Sequence, residues 1–487
     1  MHLAFDNTYA KLPDRFFARV KPTPVARPVL LAINDELASF LGWEEADRAA
    51  NSADFFTGNR LPEGAEPIAL AYAGHQFGSF VPQLGDGRAI LLGEVRGRDG
   101  KRYDVQLKGA GRTPFSRGGD GRAAVGPVLR ELVVSEAMAA LGVPTTRTLG
   151  AAATGEPIYR ETPLPGAVLV RVAASHLRIG TFQYFAARGD RDAIETLAGY
   201  ALGRHYPEAK LADGPALALL DAVMDAQASL VARWLGLGFV HGVMNTDNMS
   251  ISGETLDYGP CAFLDGFDPD RTFSSIDRGG RYAYQNQPSI ALWNLCRLGD
   301  TLVDLVDTDE ARAVGRLNER LGTFPQRFAS AYERVLRGKL GLFTAREGDA
   351  ALGKELLALM AETHVDYTRC FRRLSDAAES GDDGPLAALF REPVRLREWT
   401  ARWWARLAEE PQSREERGRA MRAHNPAFIP RNHRIEEMIE AAMQGDLRPL
   451  ARLRRVLSRP YDDQPDEVDL TEPPGEEQWR YRTFCGT

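Results

Sequence analysis

The chain has 487 residues, 44% hydrophobic and 26% charged, a composition typical of a folded protein with a large buried core. Its formal net charge of −7 argues against a protein that holds nucleic acid on a dominant basic face, so no nucleic-acid partner is expected, although a local basic pocket is compatible with it. The N-terminus lacks a signal pattern and no run approaches the roughly 18 apolar residues of a membrane span, so we expect neither export nor a membrane partner.

The first part of the chain combines a mixed segment with a region of strand-like runs. Residues 1–65 contain Pro-rich turns and one helical stretch at 34–42. The runs at 89–95 and 103–107 are short, apolar and separated by Gly-Asp and Asp-Gly turns. This pattern predicts a small twisted sheet.

A helix is predicted next, with Pro127 at its start and Gly142 just past its end. Lys108 ends the strand-like run before it, and a lysine there needs a carboxylate from the helix to hold it over phosphates. We expect Glu131 to be that partner, with Glu136 as the alternative. A solvated lysine at a strand end would account for Lys108 without any site.

Two glycine-rich segments are candidates for phosphate binding. Gly85 and Gly87 lie between strand-like runs, where backbone N–H groups could approach phosphates while Arg88 adds charge; a plain turn would have the same residues. The segment 109–122, which includes Asp120 and Gly121, is rich in Gly and Arg, with a flexible surface loop as the alternative.

Two arginines interrupt apolar stretches. Arg171 lies in VLVRV and Arg178 in SHLRIG. Arginines in such surroundings are usually paired, either with a structural carboxylate or with a bound phosphate.

Beyond about residue 190 the apolar spacing predicts mainly helices. They are expected at 216–235, 310–321, 325–336, 350–374 and 435–442. The acidic, Pro-rich tail from residue 459 is expected to be extended and mobile until 479–484, where Trp and Phe side chains could pack.

The segment 241–260, HGVMNTDNMSISGETLDYGP, has the spacing of a protein-kinase catalytic loop. In kinases the loop carries an Asp that accepts the substrate proton and an Asn that binds magnesium. Here His241 and Asn248 keep the spacing, but Val243 stands at the Asp position and cannot take a proton. A short hairpin is predicted next, and then Asp257 begins a DYG triplet where kinases carry the second magnesium ligand. The pattern predicts a metal site without the usual base.

A strand-rich front half and a helical rear half that meet at this loop indicate an α+β protein with the bilobal plan of protein kinases. We expect an N-terminal extension over 1–65 and a kinase-like N-lobe over 66–175. A C-lobe with the catalytic loop and DYG segment is expected over 176–400, followed by a helical C-terminal extension and tail over 401–487.

Several long motifs of this chain closely resemble the SelO (YdiU) family of kinase-like proteins. They are YAGHQFG (72–78), QLGDGRA (83–89), QLKGAGRTPFSRGGDGRA (106–123), HGVMNTDNMS (241–250), DYGPCAF (257–263) and NPAFIPRN (425–432). The resemblance implies protein AMPylation: ATP bound in an orientation flipped relative to kinases, AMP transferred to Ser, Thr or Tyr hydroxyls of proteins, and pyrophosphate released.

The resemblance also implies a role for each candidate residue. Asp247 matches the proposed proton acceptor, and Asn248 and Asp257 match ligands of Mg²⁺, with Mn²⁺ as the alternative ion. The nucleotide contacts that it implies are Lys108, Arg171 and Arg178 on the phosphates, and Gly85, Gly87, Arg88, Asp120, Gly121 and Asp257 elsewhere on ATP.

Two other functions remain open on the sequence. A true kinase could use Asp247 as its base, and a non-catalytic pseudokinase could bind nucleotide as a scaffold. Asp247 could also be only an Asx-turn residue before Asn248.

The chain has four cysteines without a C-x-x-C pair, which fits a reducing cytoplasm, the expected location. The family resemblance implies a regulatory thiol near the C-terminus. A redox disulfide between Cys261 and Cys485 is the corresponding expectation, against a buried Cys261 and a surface thiol at Cys485.

Overall fold

The computed structural model describes residues 3–48 and 52–475. It combines one large antiparallel sheet with many helices, which confirms the α+β class. The strands are β1 (Phe17–Arg19), β2 (Val29–Ile33), β3 (Ile68–Leu70), β4 (Gly74–Gln76), β5 (Ser79–Val81), β6 (Ala89–Arg96), β7 (Arg102–Lys108), β8 (Ala123–Ala124), β9 (Arg147–Tyr159), β10 (Pro163–Ala173), β11 (Phe239–Val240) and β12 (Ala262–Phe263).

Helices make up most of the chain after β10. The helices are α1 (Asp35–Phe40), α2 (Glu45–Arg48), α3 (Ser52–Thr57), α4 (Val125–Ala140), α5 (Ile179–Ala186), α6 (Arg191–His205), α7 (Pro215–Gly236), α8 (Gln287–Val306), α9 (Glu310–Leu321), α10 (Phe324–Leu340), α11 (Asp349–Thr363), α12 (Tyr367–Ser380), α13 (Gly384–Ala387), α14 (Pro393–Leu407), α15 (Arg414–Arg422), α16 (Asn432–Met443) and α17 (Arg448–Leu457).

The large sheet has eight strands in the order β1-β3-β6-β7-β10-β9-β2, with β8 paired to β10. In the antiparallel register, Lys108 at the end of β7 lies opposite Leu169 of β10 and Ala89 of β6. The strands predicted at 89–95 and 103–107 are confirmed as β6 and β7. The sheet is larger than predicted, because glycines and prolines inside β9 and β10 interrupt the alternation that marks a strand.

Helix α4 packs against β9 and β10. It starts two residues before Pro127 and is followed by Gly142, whose φ of +76° ends the helix as predicted. Leu129 and Leu132 of its apolar stripe are buried, and so is Glu131 on the same helix. The packing of α4 therefore brings a carboxylate into the interior beside the sheet.

The rear of the chain is built around α7, which packs against α8 and α10. The helices predicted at 216–235, 310–321, 325–336 and 435–442 are confirmed as α7, α9, α10 and α16. Among the helices of the described ranges, α7 alone is long and apolar enough to cross a membrane, and 67% of its most apolar stretch is buried inside the protein.

The single helix predicted over 350–374 is wrong. The chain forms two helices, α11 and α12, because His364 adopts a left-handed conformation with φ of +51°. Asp366 then caps α12 by accepting a hydrogen bond from the Arg369 backbone N–H at 2.8 Å.

The prediction that the tail from residue 459 is extended is wrong for the part that the structure describes, and its mobility stays a prediction. Residues Pro465–Thr471 form a short 3₁₀ helix. Glu467 accepts hydrogen bonds from Arg452 Nε at 2.6 Å and from Arg455. The acidic stretch is held by basic side chains of α17, a pairing that composition alone does not reveal, while 479–484 lies outside the described residues.

Candidate functional site

An ion cluster joins the sheet, α4 and the segment 241–260. Lys108 Nζ donates to Glu131 Oε2 at 2.6 Å and to Asp257 Oδ1 at 2.8 Å. Arg171, buried on β10, donates through Nε to Glu131 Oε1 at 2.7 Å and lies 3.7 Å from Asp257 Oδ1. Two cations and two carboxylates from four separate parts of the chain therefore alternate in one cluster.

The partner of Lys108 in this cluster is Glu131. Glu136, the alternative considered from the sequence, instead accepts hydrogen bonds from Arg147 Nε at 3.0 Å and from the Thr148 backbone N–H at 2.7 Å. Glu136 therefore fixes the start of β9 to α4.

The electrostatics of the cluster favour ionised carboxylates. Burial alone would raise the pKa of Asp257, but Lys108, Arg171 and Arg88 outweigh burial and hold that pKa well below its usual range. Burial likewise opposes ionisation of Glu131, yet Arg171 and Lys108 lower its pKa. The Asp257 backbone has a φ of +68°, a left-handed conformation that side-chain-bearing residues rarely adopt. Such strain is typical of a residue held for a function.

Asp247 is buried in the segment 241–260, and its environment differs from that of Asp257. Its Oδ1 has no hydrogen-bond partner among the described residues, and its Oδ2 lies 3.5 Å from Gln76 Nε2. Burial is the main cause that raises the pKa of Asp247, to about 6. A carboxylate with a raised pKa and an unused oxygen can accept a proton. Next to it, Asn248 donates Nδ2 to the Val243 carbonyl at 3.1 Å, which leaves its amide oxygen as the group for a metal.

Arg178 is bound to the protein on several sides. Its NH1 donates to the backbone carbonyl of Asp247 at 2.9 Å, and its guanidinium lies 4.2 Å from the centre of the Tyr72 ring. Its NH2 also lies 3.6 Å from Asp86 Oδ1. Of the two possibilities that the sequence left open for this arginine, a structural carboxylate is present in the form of Asp86, and a phosphate contact stays a prediction.

The two glycine-rich segments pack on each other. Gly85 has a φ of +71°, and a Cβ built there would lie 2.3 Å from the Phe115 ring. Ser116 Oγ donates to the Gly87 carbonyl, and Thr113 Oγ1 donates to the Asp86 carbonyl at 2.7 Å. The loop before β6 is therefore shaped by the segment after β7. Arg88, at its end, is close enough to lower the pKa of Asp257.

Asp120 and Gly121 lie in the second of these segments and serve its internal structure. Asp120 forms an ion pair with Arg160 at 2.8 Å and accepts the backbone N–H of Arg122 at 2.9 Å. Gly121 has a φ of +69°, and a Cβ there would lie 2.0 Å from the Gly111 carbonyl oxygen. Their contact with nucleotide stays a prediction.

Residues of the YAGHQFG motif touch the site without having been assigned a role from the sequence. Gln76 lies beside Asp247, as described, and a Cβ at Gly74 would lie 2.3 Å from Asp247 Oδ1. In the sequence, the length of this motif was the signal that could have pointed to a role in the site. Its place beside Asp247 follows from long-range folding, which local pattern does not show.

Of the two cysteines in the proposed redox pair, the structure describes Cys261. Cys261 is buried, and its Sγ lies 3.6 Å from the Tyr258 carbonyl oxygen. Cys485 lies outside the described residues, so the disulfide stays a prediction.

Comparison with known proteins bears on the whole chain. Residues 1–458 match the family model described as protein adenylyltransferase SelO. The chain belongs to the SelO family. A protein nucleotidyltransferase YdiU of a Bradyrhizobium species is 58% identical over 489 residues, covering 100% of both chains. Proteins of the same name are 59% identical in Methylorubrum populi, over 99% of both chains, and 56% identical in Rhizobium etli, over 99% of this chain and 97% of the relative. As a member of the SelO family the chain is an enzyme of the nucleotidyltransferase class, and the resemblance stated from its motifs is confirmed.

Proposed function

We propose that this chain transfers AMP from ATP to Ser, Thr or Tyr hydroxyls of proteins. In this proposal the molecule has a kinase-like bilobal plan, with a strand-rich lobe over 66–175 and a helical lobe over 176–400. ATP lies flipped between them, so that its terminal phosphates meet Lys108 and Arg171 and its α-phosphate faces the acceptor. The family name supports the reaction class, and the ion cluster supports the site.

The observation that carries the proposal is the difference in environment between two aspartates, Asp257 and Asp247. Asp257 is kept ionised by Lys108 and Arg171, as a group that binds a metal ion must be. Asp247 is buried with an unused carboxylate oxygen, as a proton acceptor must be. Val243, at the usual position of the kinase base, cannot accept a proton. The same difference is found in enzymes whose acid and base groups have different environments.

In the proposed reaction the acceptor hydroxyl oxygen attacks the α-phosphorus. A bond forms between that oxygen and phosphorus, the bond from the α-phosphorus to the oxygen that bridges it to the β-phosphate breaks, and pyrophosphate leaves. The hydroxyl proton passes to Asp247. Because negative charge develops on the leaving pyrophosphate, Lys108 and Arg171 are most useful at the β- and γ-phosphates.

The residues present fit a magnesium ion. Mg²⁺ is usually bound by one or two protein oxygens together with substrate phosphates, and the Asp257 carboxylate and the Asn248 amide oxygen can supply such oxygens. No group of three or more His, Cys, Asp and Glu side chains suited to a metal occurs in the described ranges, so a metal here would depend on the nucleotide for its other ligands. Bound there, the ion would neutralise phosphate charge.

The test is to supply ATP labelled at the α-phosphate or at the γ-phosphate and to follow label on a generic protein acceptor. Retention of the α-label alone supports AMP transfer. Retention of the γ-label alone supports a kinase, and retention of neither supports a nucleotide-binding scaffold. The Asp247→Asn variant, which keeps the shape of the side chain but not its basicity, is the matched control and should lose the α-label.

A further inference from the structure

A cavity of about 400 Å³ opens where the end of α4 meets α7, α10 and the segment after α15. Its walls include the apolar side chains Leu141, Val143, Leu237 and Val335. The volume falls within the range of pockets that hold small organic molecules. None of the residues that form the ion cluster around Lys108 lines this cavity, so it is a separate feature of the fold.

The charged side chains that line the cavity are basic. They are Arg233, Arg334 and Lys339, together with the titratable His424, and no Asp or Glu lines it within the described ranges. Arg233 donates to the Gly142 carbonyl, a neutral partner. Arg334 forms no ion pair with any carboxylate that the structure describes.

Another arginine of the same helix, which does not line the cavity, has carboxylate partners. Arg327, also on α10, is paired with Asp221 and Asp225, the latter at 3.0 Å. Arg327, whose side chain is only 23% exposed, is therefore neutralised by the protein, whereas the exposed Arg334 that lines the cavity is not. Uncompensated positive charge around a concave surface favours a bound anion.

Lys339 adds a buried amine to this set. The residue is only 2% exposed, and its Nζ lies 4.2 Å from the centre of the Phe371 ring and 5.5 Å from that of Tyr367. No carboxylate pairs with that Nζ in the described part of the chain. Burial lowers the pKa of Lys339 to about 7, so a nearby anion would favour its charged form.

We propose that this cavity binds an organic phosphate, a phosphomonoester on a small apolar body. Three basic residues and a histidine match a ligand that has more than one negative charge. A phosphomonoester group carries about 1.5–2 negative charges at neutral pH. Guanidinium groups match phosphate oxygens with paired hydrogen bonds. The apolar walls fit the organic body, which a free phosphate lacks. The site lies apart from the proposed nucleotide site and does not depend on that proposal.

The experiment is calorimetric titration of phenyl phosphate into the whole protein, already saturated with magnesium and a non-hydrolysable ATP analogue so that a nucleotide site is filled. Saturable binding is expected. Inorganic phosphate, which lacks the apolar body, and benzoate, which has a single charge, should both bind more weakly. If inorganic phosphate binds as tightly as phenyl phosphate, the site is one for free phosphate and the proposal of an organic ligand is overturned.

Variants assign the binding to the cavity. Arg334→Gln, at an exposed helix position that does not threaten folding, should weaken binding of phenyl phosphate about tenfold or more, since a hydrogen bond to a charged group is worth roughly 1.5–3 kcal/mol. Lys339→Met should weaken it similarly, and Arg98→Gln, an exposed arginine outside the cavity, should leave it unchanged. Should Lys339→Met fail to fold by circular dichroism, Arg334→Gln decides alone. Absence of binding, or equal binding by wild type and Arg334→Gln, overturns the proposal.

Discussion

At the scale of single residues, Asp257 combines a left-handed backbone with a carboxylate held ionised by two cations. Asp257→Ala should reduce AMP incorporation to background, because the proposed metal ligand is lost. Asp257→Asn should do the same while keeping the shape of the side chain and its tolerance of positive φ. Label transfer from α-labelled ATP measures the effect.

The control for this prediction is a measurement that both variants fold. Both variants should give the far-ultraviolet circular dichroism spectrum of the wild type. Asp446→Asn, which removes a carboxylate paired with Arg448 outside the ion cluster, tests whether loss of any acidic side chain has the same effect. Near-wild-type incorporation by folded Asp257→Asn would contradict the proposed site.

The cations of the cluster give a second prediction. Lys108→Met should weaken ATP binding about tenfold or more, because charged hydrogen bonds to phosphate are worth roughly 1.5–3 kcal/mol. Adenosine, which has no phosphate, should lose little affinity. Calorimetry with both ligands measures the difference, and equal losses would argue against a phosphate contact. Val243→Asp is a companion variant that should not gain kinase activity, because in the flipped pose the γ-phosphate faces away from the acceptor.

At the scale of elements, the hairpin of β4 and β5 lies against the turn Thr246–Asn248. A Cβ at Gly74 would lie 2.3 Å from Asp247 Oδ1, so Gly74→Ala should displace the proposed base. We expect a lower kcat for AMP transfer with little change in ATP affinity. Gly199→Ala, in α6 where a Cβ would meet nothing within 4 Å, is the matched control. Loss of ATP affinity in Gly74→Ala as large as the loss of kcat would show that the hairpin acts on the nucleotide instead.

Glu254, which lies in the turn closed by the isolated Met249–Thr255 bridge, is a pH-dependent element. Glu254 accepts hydrogen bonds from the Ala174 backbone N–H at 2.9 Å and from Ser252 Oγ at 3.1 Å, and burial raises its pKa from 4.5 to about 7. Its contribution to stability is therefore fully present below about pH 4.5 and is lost as the pH rises through about 7.

Glu254→Gln should remove this pH dependence. The free energy of unfolding of the wild type should fall by about 2 kcal/mol relative to the variant between about pH 5 and pH 8. Urea unfolding at both pH values measures it, with Glu319→Gln on the exposed face of α9 as the control for loss of a carboxylate. A constant difference between wild type and Glu254→Gln would refute this role for Glu254.

The elements also show what sequence pattern can and cannot predict. Periodicity located α4 and β7, because these depend on local spacing. It could not separate the expected partner of Lys108, Glu131, from Glu136, since both lie on α4, and the structure decides between them. The break at His364 was missed because a left-handed residue between two helices leaves the apolar spacing almost unchanged. The contact of Gln76 with Asp247 was missed because it joins residues 171 positions apart.

At the scale of the whole molecule, Arg431 ties the C-terminal part to the centre. It is buried and bonded to Asp366 Oδ2 at 2.8 Å and to Asp265. Arg431→Met should lower the free energy of unfolding by about 3–5 kcal/mol, because two partly buried carboxylates lose their common, fully buried partner. Urea unfolding measures this. Arg448→Met removes an exposed ion pair with Asp446 and should have an effect of less than about 1 kcal/mol. Equal effects of the two changes would show that the buried pair is unimportant.

The C-terminal helices α16 and α17 contact the N-terminal half of the chain. Both α16 and α17 pack against α4, the helix of Glu131, and Arg454 donates to the Ile33 carbonyl at 2.6 Å. During synthesis the segments with Lys108, Glu131, Asp247 and Asp257 leave the ribosome well before α16 and α17. A nascent chain therefore already contains all the groups of the site but lacks the helices that hold α4 in place. The packing around α4, and with it around Glu131, can therefore be completed only after α17 has been synthesised.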